Sequence, residues 1–141
     1  MELSIVIVNY HHSHMLADCL KSVYRTIKKI RFEIIIVDNS SKDDGLELIL
    51  KRYPETRFIN NLKNVGFARA NNQGVKIASG DFLLFINPDT IMTGKTVESM
   101  LDYDRNSIRL VDLGLNCCII MSGSNLKKLT KLTKVTFYLM Q

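Results

Sequence analysis

The apolar run Phe82-Leu83-Leu84-Phe85-Ile86 follows Gly80-Asp81 and delivers Asn87-Pro88-Asp89-Thr90 to its far end. Proline cannot donate to a strand ladder and turns the residue before it away from helix, so the strand stops there and Asp89 stands on the loop beyond. In open α/β sheets ligands bind at the carboxyl ends of the strands, which makes the Asp89 carboxylate a candidate for ligand chemistry. Two earlier β-branched runs end in the same way: Ser4-Ile5-Val6-Ile7-Val8-Asn9-Tyr10 and Glu33-Ile34-Ile35-Ile36-Val37-Asp38-Asn39-Ser40-Ser41. Three strand ends meeting on one sheet edge would gather Asn9, Tyr10, Asp38, Asn39 and Asp89 into a single site. His11, His12 and His14 offer further bases or ligands, but their place in the loop after the first run marks them as solvent-side or phosphate-side residues. Cys19, Cys117 and Cys118 show no Cys-x-x-Cys spacing, so reduced, buried thiols are expected in place of a disulfide framework or a zinc site.

Something must carry these residues to one edge. Unbroken Ile/Val runs predict strands covered on both faces, and therefore a parallel sheet between helices. Ser13 is placed to cap a first helix with the stripe Leu16, Cys19, Leu20, Val23 and Ile27. After the second strand, Ser40 or Ser41 offers an oxygen to a second helix start, and Asp43 and Asp44 suit helix capping better than catalysis. That helix presents Leu46, Ile49, Leu50 and Tyr53, and Pro54 stops it. A short strand at 56–60, a turn at Asn64-Val65-Gly66 and a helix over 67–78 packed through Phe67, Ala70, Asn71, Val75 and Ala78 lead to the run at 82–86. The order β-α-β-α-β-α-β predicts a Rossmann-like, doubly wound α/β fold with right-handed crossovers.

Beyond Thr90 the pattern predicts a short helix over 93–104 through Val97, Met100 and Leu101, and a further strand over 115–121. The last segment spaces Leu126, Leu129 and Leu132 among Lys127, Lys128, Lys131 and Lys134. This is a basic amphipathic tail, compatible with an anionic membrane surface or with an ordinary solvated helix face. The expected organisation is one domain over 1–121 and the tail over 122–141.

A length of 141 residues with 46% hydrophobic content suits one domain with a real core. No run approaches the roughly 20 apolar residues of a spanning helix, and the sequence opens directly in strand-like residues, so a cytoplasmic location is expected. A net charge of +5 serves nucleotides, nucleic acid or anionic lipid equally well and selects none of them. Nucleic acid is disfavoured because the lysines concentrate in the tail without aromatic interleaving.

Four segments, taken together, resemble the family 2 glycosyltransferases of GT-A fold, and within them the rhamnosyltransferase-like branch. They are SIVIVNY at 4–10, IIIVDNSSKDDG at 34–45, NVGFARANNQG at 64–74 and GDFLLFINPDT at 80–90, in that order. The resemblance is strongest over 4–90. It implies a GT-A nucleotide-diphospho-sugar transferase fold, a mostly parallel sheet with flanking helices, and transfer of a sugar from a nucleotide-diphosphate donor to an acceptor hydroxyl in cell-surface polysaccharide synthesis.

Carried over by motif position, Val8, Asn9, Tyr10, Asp38, Asn39, Arg69 and Asn72 bind the nucleotide of a UDP or dTDP sugar. Tyr10 would lie against the base and Asp38 would bond its imide N–H, which suits an aromatic face and a carboxylate acceptor. The alternatives are that Tyr10 covers the following helix, that Asp38 caps a turn and that Arg69 lies in solvent. Asp89 occupies the position of the family's Asp-x-Asp metal motif, with Asn87 where a carboxylate often stands, and it implies Mg²⁺ or Mn²⁺ at the diphosphate.

The acceptor, a saccharide or lipid-linked hydroxyl, is handled in this family by a half that follows the metal motif and supplies the catalytic base. Only 51 of the 141 residues lie beyond Thr90, and Glu98, Asp102, Asp104 and Asp112 match no such motif. The chain thus reads as a truncated donor-binding half with no identified catalytic residue. Such a half is a truncated reading frame, an isolated fragment or a chain completed by a partner that supplies the acceptor half; the alternative is a non-catalytic nucleotide-binding or interaction module.

Overall fold

Strand β1 (Leu3–Asn9) is buried along its whole length because it pairs on both sides, parallel to β2 (Phe32–Asp38) and parallel to β4 (Phe82–Ile86). β3 (Arg57–Asn60) joins β2 in parallel, and β5 (Ile119–Ser122) joins β4 antiparallel, giving the order β3-β2-β1-β4-β5. The structure, a computed structural model, describes residues 1–42, 45–94, 97–98, 101 and 119–122.

Helices α1 (Ser13–Thr26), α2 (Gly45–Arg52) and α3 (Phe67–Ile77) cover the sheet. Alternation along β1 divides the core in two. Leu3, Ile5 and Ile7 pack with Leu16, Cys19, Leu20 and Val23 of α1 and Ile49 of α2, whereas Val6 and Val8 pack with Ala70 and Val75 of α3. Both faces of the sheet are therefore apolar, which is why the strand sequences show no polar alternation. The chain winds outward from β1 through β2 to β3 and then returns past β1 to β4. Between β1 and β4 the winding reverses, and this is where doubly wound sheets open a crevice at their carboxyl edge.

Details depart from the sequence expectation in instructive ways. His12, not Ser13, is the N-cap residue of α1, and it makes no side-chain cap bond; Ser13 is the first helical residue. Gly74 lies outside the expected stripe of α3, yet a Cβ there would stand 2.5 Å from Val6 Cγ1, so α3 sits closer to the sheet than a side chain at that position would permit. The strand expected over 115–121 is β5, and it runs antiparallel. Of the helix expected over 93–104, Val97, Glu98 and Leu101 are helical, with Val97 and Leu101 in the core. Its other residues from 99 on, the capping pair Asp43 and Asp44, and the tail beyond Ser122 lie outside the described residues.

At the amino edge of the sheet, Glu33 ties four segments together. Its Oε1 accepts from the Ser4 hydroxyl at 2.6 Å and from the N–H and hydroxyl of Ser79 at 2.6 and 2.7 Å, while Arg57 donates to Oε2 at 3.2 Å. Ser4 Oγ in turn accepts the Gly80 N–H at 2.8 Å. Burial pushes the Glu33 carboxyl up, but these donors together outweigh it and hold the group below the ordinary carboxylate value.

Candidate functional site

At the carboxyl edge, Asn9 and Asp38 are register partners on β1 and β2, and both side chains are buried. Asn9 Nδ2 donates to Asp38 Oδ1 at 2.9 Å and to Ser41 Oγ at 3.0 Å, and the Ser41 N–H donates to Asp38 Oδ2 at 2.8 Å. Asp38 therefore closes the turn after β2, its carboxylate accepting the backbone N–H three residues on. The next residue faces the other way. Asn39 Nδ2 donates to Asn64 Oδ1 at 2.7 Å, and Asn39 Oδ1 accepts the Val65 N–H at 3.0 Å. Asn64 Oδ1 also accepts the Gly66 N–H at 2.8 Å, and Gly66 takes φ +87°, a conformation that favours glycine. One buried amide thus fixes the loop from which α3 starts.

A cleft of about 470 Å³ opens above these strand ends. Val8 and Tyr10 contribute from the end of β1, and Asn39 from the end of β2. His12 and Met15 come from the start of α1, Asn64, Gly66 and Phe67 from the start of α3, and Asn87, Pro88 and Asp89 from the loop after β4. Neither α1 nor α3 carries an acidic residue in its first turn or a side-chain cap bond, so two positive helix ends border one cavity. Such ends favour an anion. Tyr10 is 42% exposed and meets His11 edge-on, with centroids 4.3 Å apart, and Asp89 is exposed.

Of the residues expected at the site, the cleft brings together Val8, Tyr10, Asn39 and Asp89. Asn9 and Asp38 are buried at the adjoining strand ends and do not line it. Arg69 is exposed on α3 and Asn72 is half-buried there; neither lines the cleft. The sequence does not mark Asn64, Phe67 or Met15 as site residues, and His12, expected on the solvent or phosphate side, lines the cleft. The signal available for Asn64 was its place two residues before Gly66, the spacing of an Asx turn. His12 was grouped with His11 and His14, which line a separate groove of about 420 Å³ between α1 and α2.

No group of three or more His, Cys, Asp or Glu side chains comes together among the described residues, and Asp89 is the only carboxylate among those lining the cleft. This donor set does not build an all-protein cation cage. It does fit Mg²⁺ or Mn²⁺ arriving on a diphosphate, since these ions commonly take one or two carboxylates and complete their shell with phosphate oxygens and water.

Comparison with known proteins gives concordant results. The family described as "Glycosyl transferase family 2" matches residues 4–128. The poly(ribitol-phosphate) beta-glucosyltransferase of Bacillus spizizenii is 30% identical over 119 residues, which are 81% of this chain and 19% of that protein. The uncharacterized glycosyltransferase YwdF of Bacillus subtilis is 36% identical over 102 residues, 71% of this chain and 37% of that protein. Among solved structures, Staphylococcus aureus TarS 1–349 in complex with UDP-GlcNAc superposes with a TM-score of 0.66 at 23% identity, covering 73% of this chain and 31% of that one. The mannosyltransferase PcManGT from Pyrobaculum calidifontis, in complex with GDP-Man and Mn²⁺, gives 0.68 at 15% identity, covering 76% and 33%. These two share the fold. The chain spans between 19% and 37% of the length of the two sequence relatives.

Proposed function

The chain belongs to glycosyltransferase family 2, and from that membership we propose that it binds a nucleotide-diphosphate sugar in the strand-end cleft for transfer to an acceptor hydroxyl in cell-surface polysaccharide synthesis. The observation that carries this reading is the convergence of Tyr10, Asp89 and two uncapped helix starts on one cavity. The half-exposed ring of Tyr10 offers a stacking face to a base. The starts of α1 and α3 favour the diphosphate, and Asp89 holds the Mg²⁺ or Mn²⁺ that neutralises charge developing on the leaving nucleotide. Asn39 and Asn64 shape the wall between them. Asp38 does not line the cleft; its carboxylate keeps lone pairs beside the two internal bonds, and it serves the base only where ligand binding uncovers one of its oxygens.

A UDP or dTDP donor is favoured. One relative is named a glucosyltransferase and another, TarP of Staphylococcus aureus, an N-acetylglucosaminyltransferase, which supports a hexosyl donor; rhamnosyl transfer is the reading from the sequence branch. The acceptor is a saccharide or a lipid-linked precursor. No helix among the described residues is long and apolar enough to cross a membrane, and a cytoplasmic protein with peripheral contact at the inner face fits such an acceptor.

A second reading has its own observation. With Asp89 the only carboxylate among the described residues that line the cleft, none of these supplies a separate general base, which favours a donor-binding module that turns over only with an acceptor half supplied elsewhere. Calorimetry with UDP, dTDP and GDP, with and without Mn²⁺, tests the binding step. Well-folded protein that binds none of them refutes the donor site, and sustained donor hydrolysis or transfer by the 141-residue chain refutes the non-catalytic module.

A further inference from the structure

Asp89 sits in the middle of a strap that is pinned at both ends to one face of α1. At the near end, the Cys19 thiol lies 3.7 Å from the Asn87 carbonyl oxygen, which also accepts the Thr90 N–H at 3.1 Å. At the far end, the Met92 N–H donates to Ser22 Oγ at 2.8 Å, and the Met92 carbonyl accepts from Thr26 Oγ1 at 3.3 Å. Ser22 is itself held, since its hydroxyl donates to the Cys19 carbonyl at 2.7 Å, and it is buried. The Met92 side chain is anchored in the core beneath the strap. Positions 19, 22 and 26 fall on one helix face, so a single rigid element fixes the backbone on both sides of the exposed carboxylate. The same helix places His12 and Met15 in the cleft wall, which couples the strap to the rest of the cavity.

We infer that Ser22, assisted by Thr26, is a positioning residue for Asp89, setting where its carboxylate meets a cation carried by a nucleoside diphosphate. The inference rests on the proposed role of Asp89. Its physical basis is that, among the described residues, the cleft offers a cation one carboxylate, so affinity depends on how well the backbone that carries this carboxylate is preset. A hydroxyl that takes the Met92 N–H from the helix side provides that presetting without touching the ligand.

The test is calorimetry of UDP binding, with and without Mn²⁺, on the parent chain, Asp89→Ala, Ser22→Ala and Thr26→Val, with thermal melting of each. Mn²⁺ should tighten UDP binding to the parent, and Asp89→Ala should lose that gain. Ser22→Ala should lose roughly tenfold of it, the lower end of what removing a ligand's supporting partner costs. Thr26→Val should lose less, in keeping with its longer bond. Metal-free UDP affinity should stay within about twofold in both helix variants, because nothing on the base side has changed. A merely structural role would instead weaken metal-free and metal-dependent binding together, in step with the melting temperature, and would overturn the inference. If Ser22→Ala does not fold, Thr26→Val decides. Full Mn²⁺ gain in the folded helix variants, with the gain lost in Asp89→Ala, overturns the positioning role and leaves the cation role of Asp89 standing. Full gain in Asp89→Ala, or no gain in the parent, overturns the cation role and the inference with it.

Discussion

The Asp38 carboxylate accepts from the Asn9 amide and from the Ser41 N–H while only 2% exposed, so replacing it acts on more than a ligand. Asp38→Ala leaves the part-buried Ser41 N–H without its acceptor and the buried Asn9 amide with only Ser41 Oγ, and should cost about 1–3 kcal/mol of stability, read by urea unfolding. If Asp38 also serves the base, the folded variant should discriminate less between UDP and GDP; unchanged discrimination would make it purely a turn residue. Tyr10 allows a cleaner test, because at 42% exposure little of the fold leans on it. Tyr10→Ala should weaken UDP, dTDP and GDP alike by about 1–3 kcal/mol, the usual value of one base stacked on an aromatic ring. An unaltered affinity, measured by calorimetry, would place the base elsewhere. Tyr10 and Asp89 were legible as strand-end residues because Tyr10 directly follows β1 and Asp89 stands just past the Asn87-Pro88 stop of β4. Asn64 was not, since it enters the wall through the Asn39 side chain, which reaches it across an intervening strand and helix.

Helix α3 rests on β1 and β2 at Gly74, where an added Cβ would meet Val6 Cγ1 at 2.5 Å and Val37 Cγ2 at 3.5 Å. Gly74→Ala should therefore destabilise the fold by about 1–3 kcal/mol despite the better helix propensity of alanine, seen as a lower urea midpoint at unchanged slope. The Glu33 junction makes a pH-dependent contribution. Its carboxyl is held below the ordinary value, so its stabilisation is complete above about pH 4.5 and is lost as pH falls through the lower folded value. The stability gap between the parent and Glu33→Gln should be about 1–3 kcal/mol at pH 7 and should shrink under acid; a gap that is constant from pH 7 to 3 would refute the ionic origin. The strands and helices themselves were readable from β-branched runs and from stripes such as Leu16, Cys19, Leu20 and Val23. Gly74 and the Glu33 junction were not, because both depend on how closely separate elements approach, and no local pattern records that distance.

On the scale of the whole chain, Lys127, Lys128, Lys131 and Lys134 lie among three leucines in the basic segment. Each lysine near an anionic leaflet adds up to about 1 kcal/mol, so co-sedimentation with phosphatidylserine vesicles at low salt should exceed that with neutral vesicles and fade as salt rises. Equal binding to both, or binding that survives truncation after Gly123, would remove the segment from any membrane role. The central place of β1 has a further effect, one that acts while the protein is being made. Leu3 and Ile5 pair with Phe32 and Ile34 on one side but with Phe82 and Leu84 on the other. A strand translated early thus waits, with one ladder edge unfilled, until a segment encoded far downstream has left the ribosome. Nascent chains stalled before Phe82 emerges should be cut readily by protease, and chains stalled well after Ile86 should resist. Equal resistance at both lengths would mean that β1 and β2 fold as a unit without waiting for the last parallel strand.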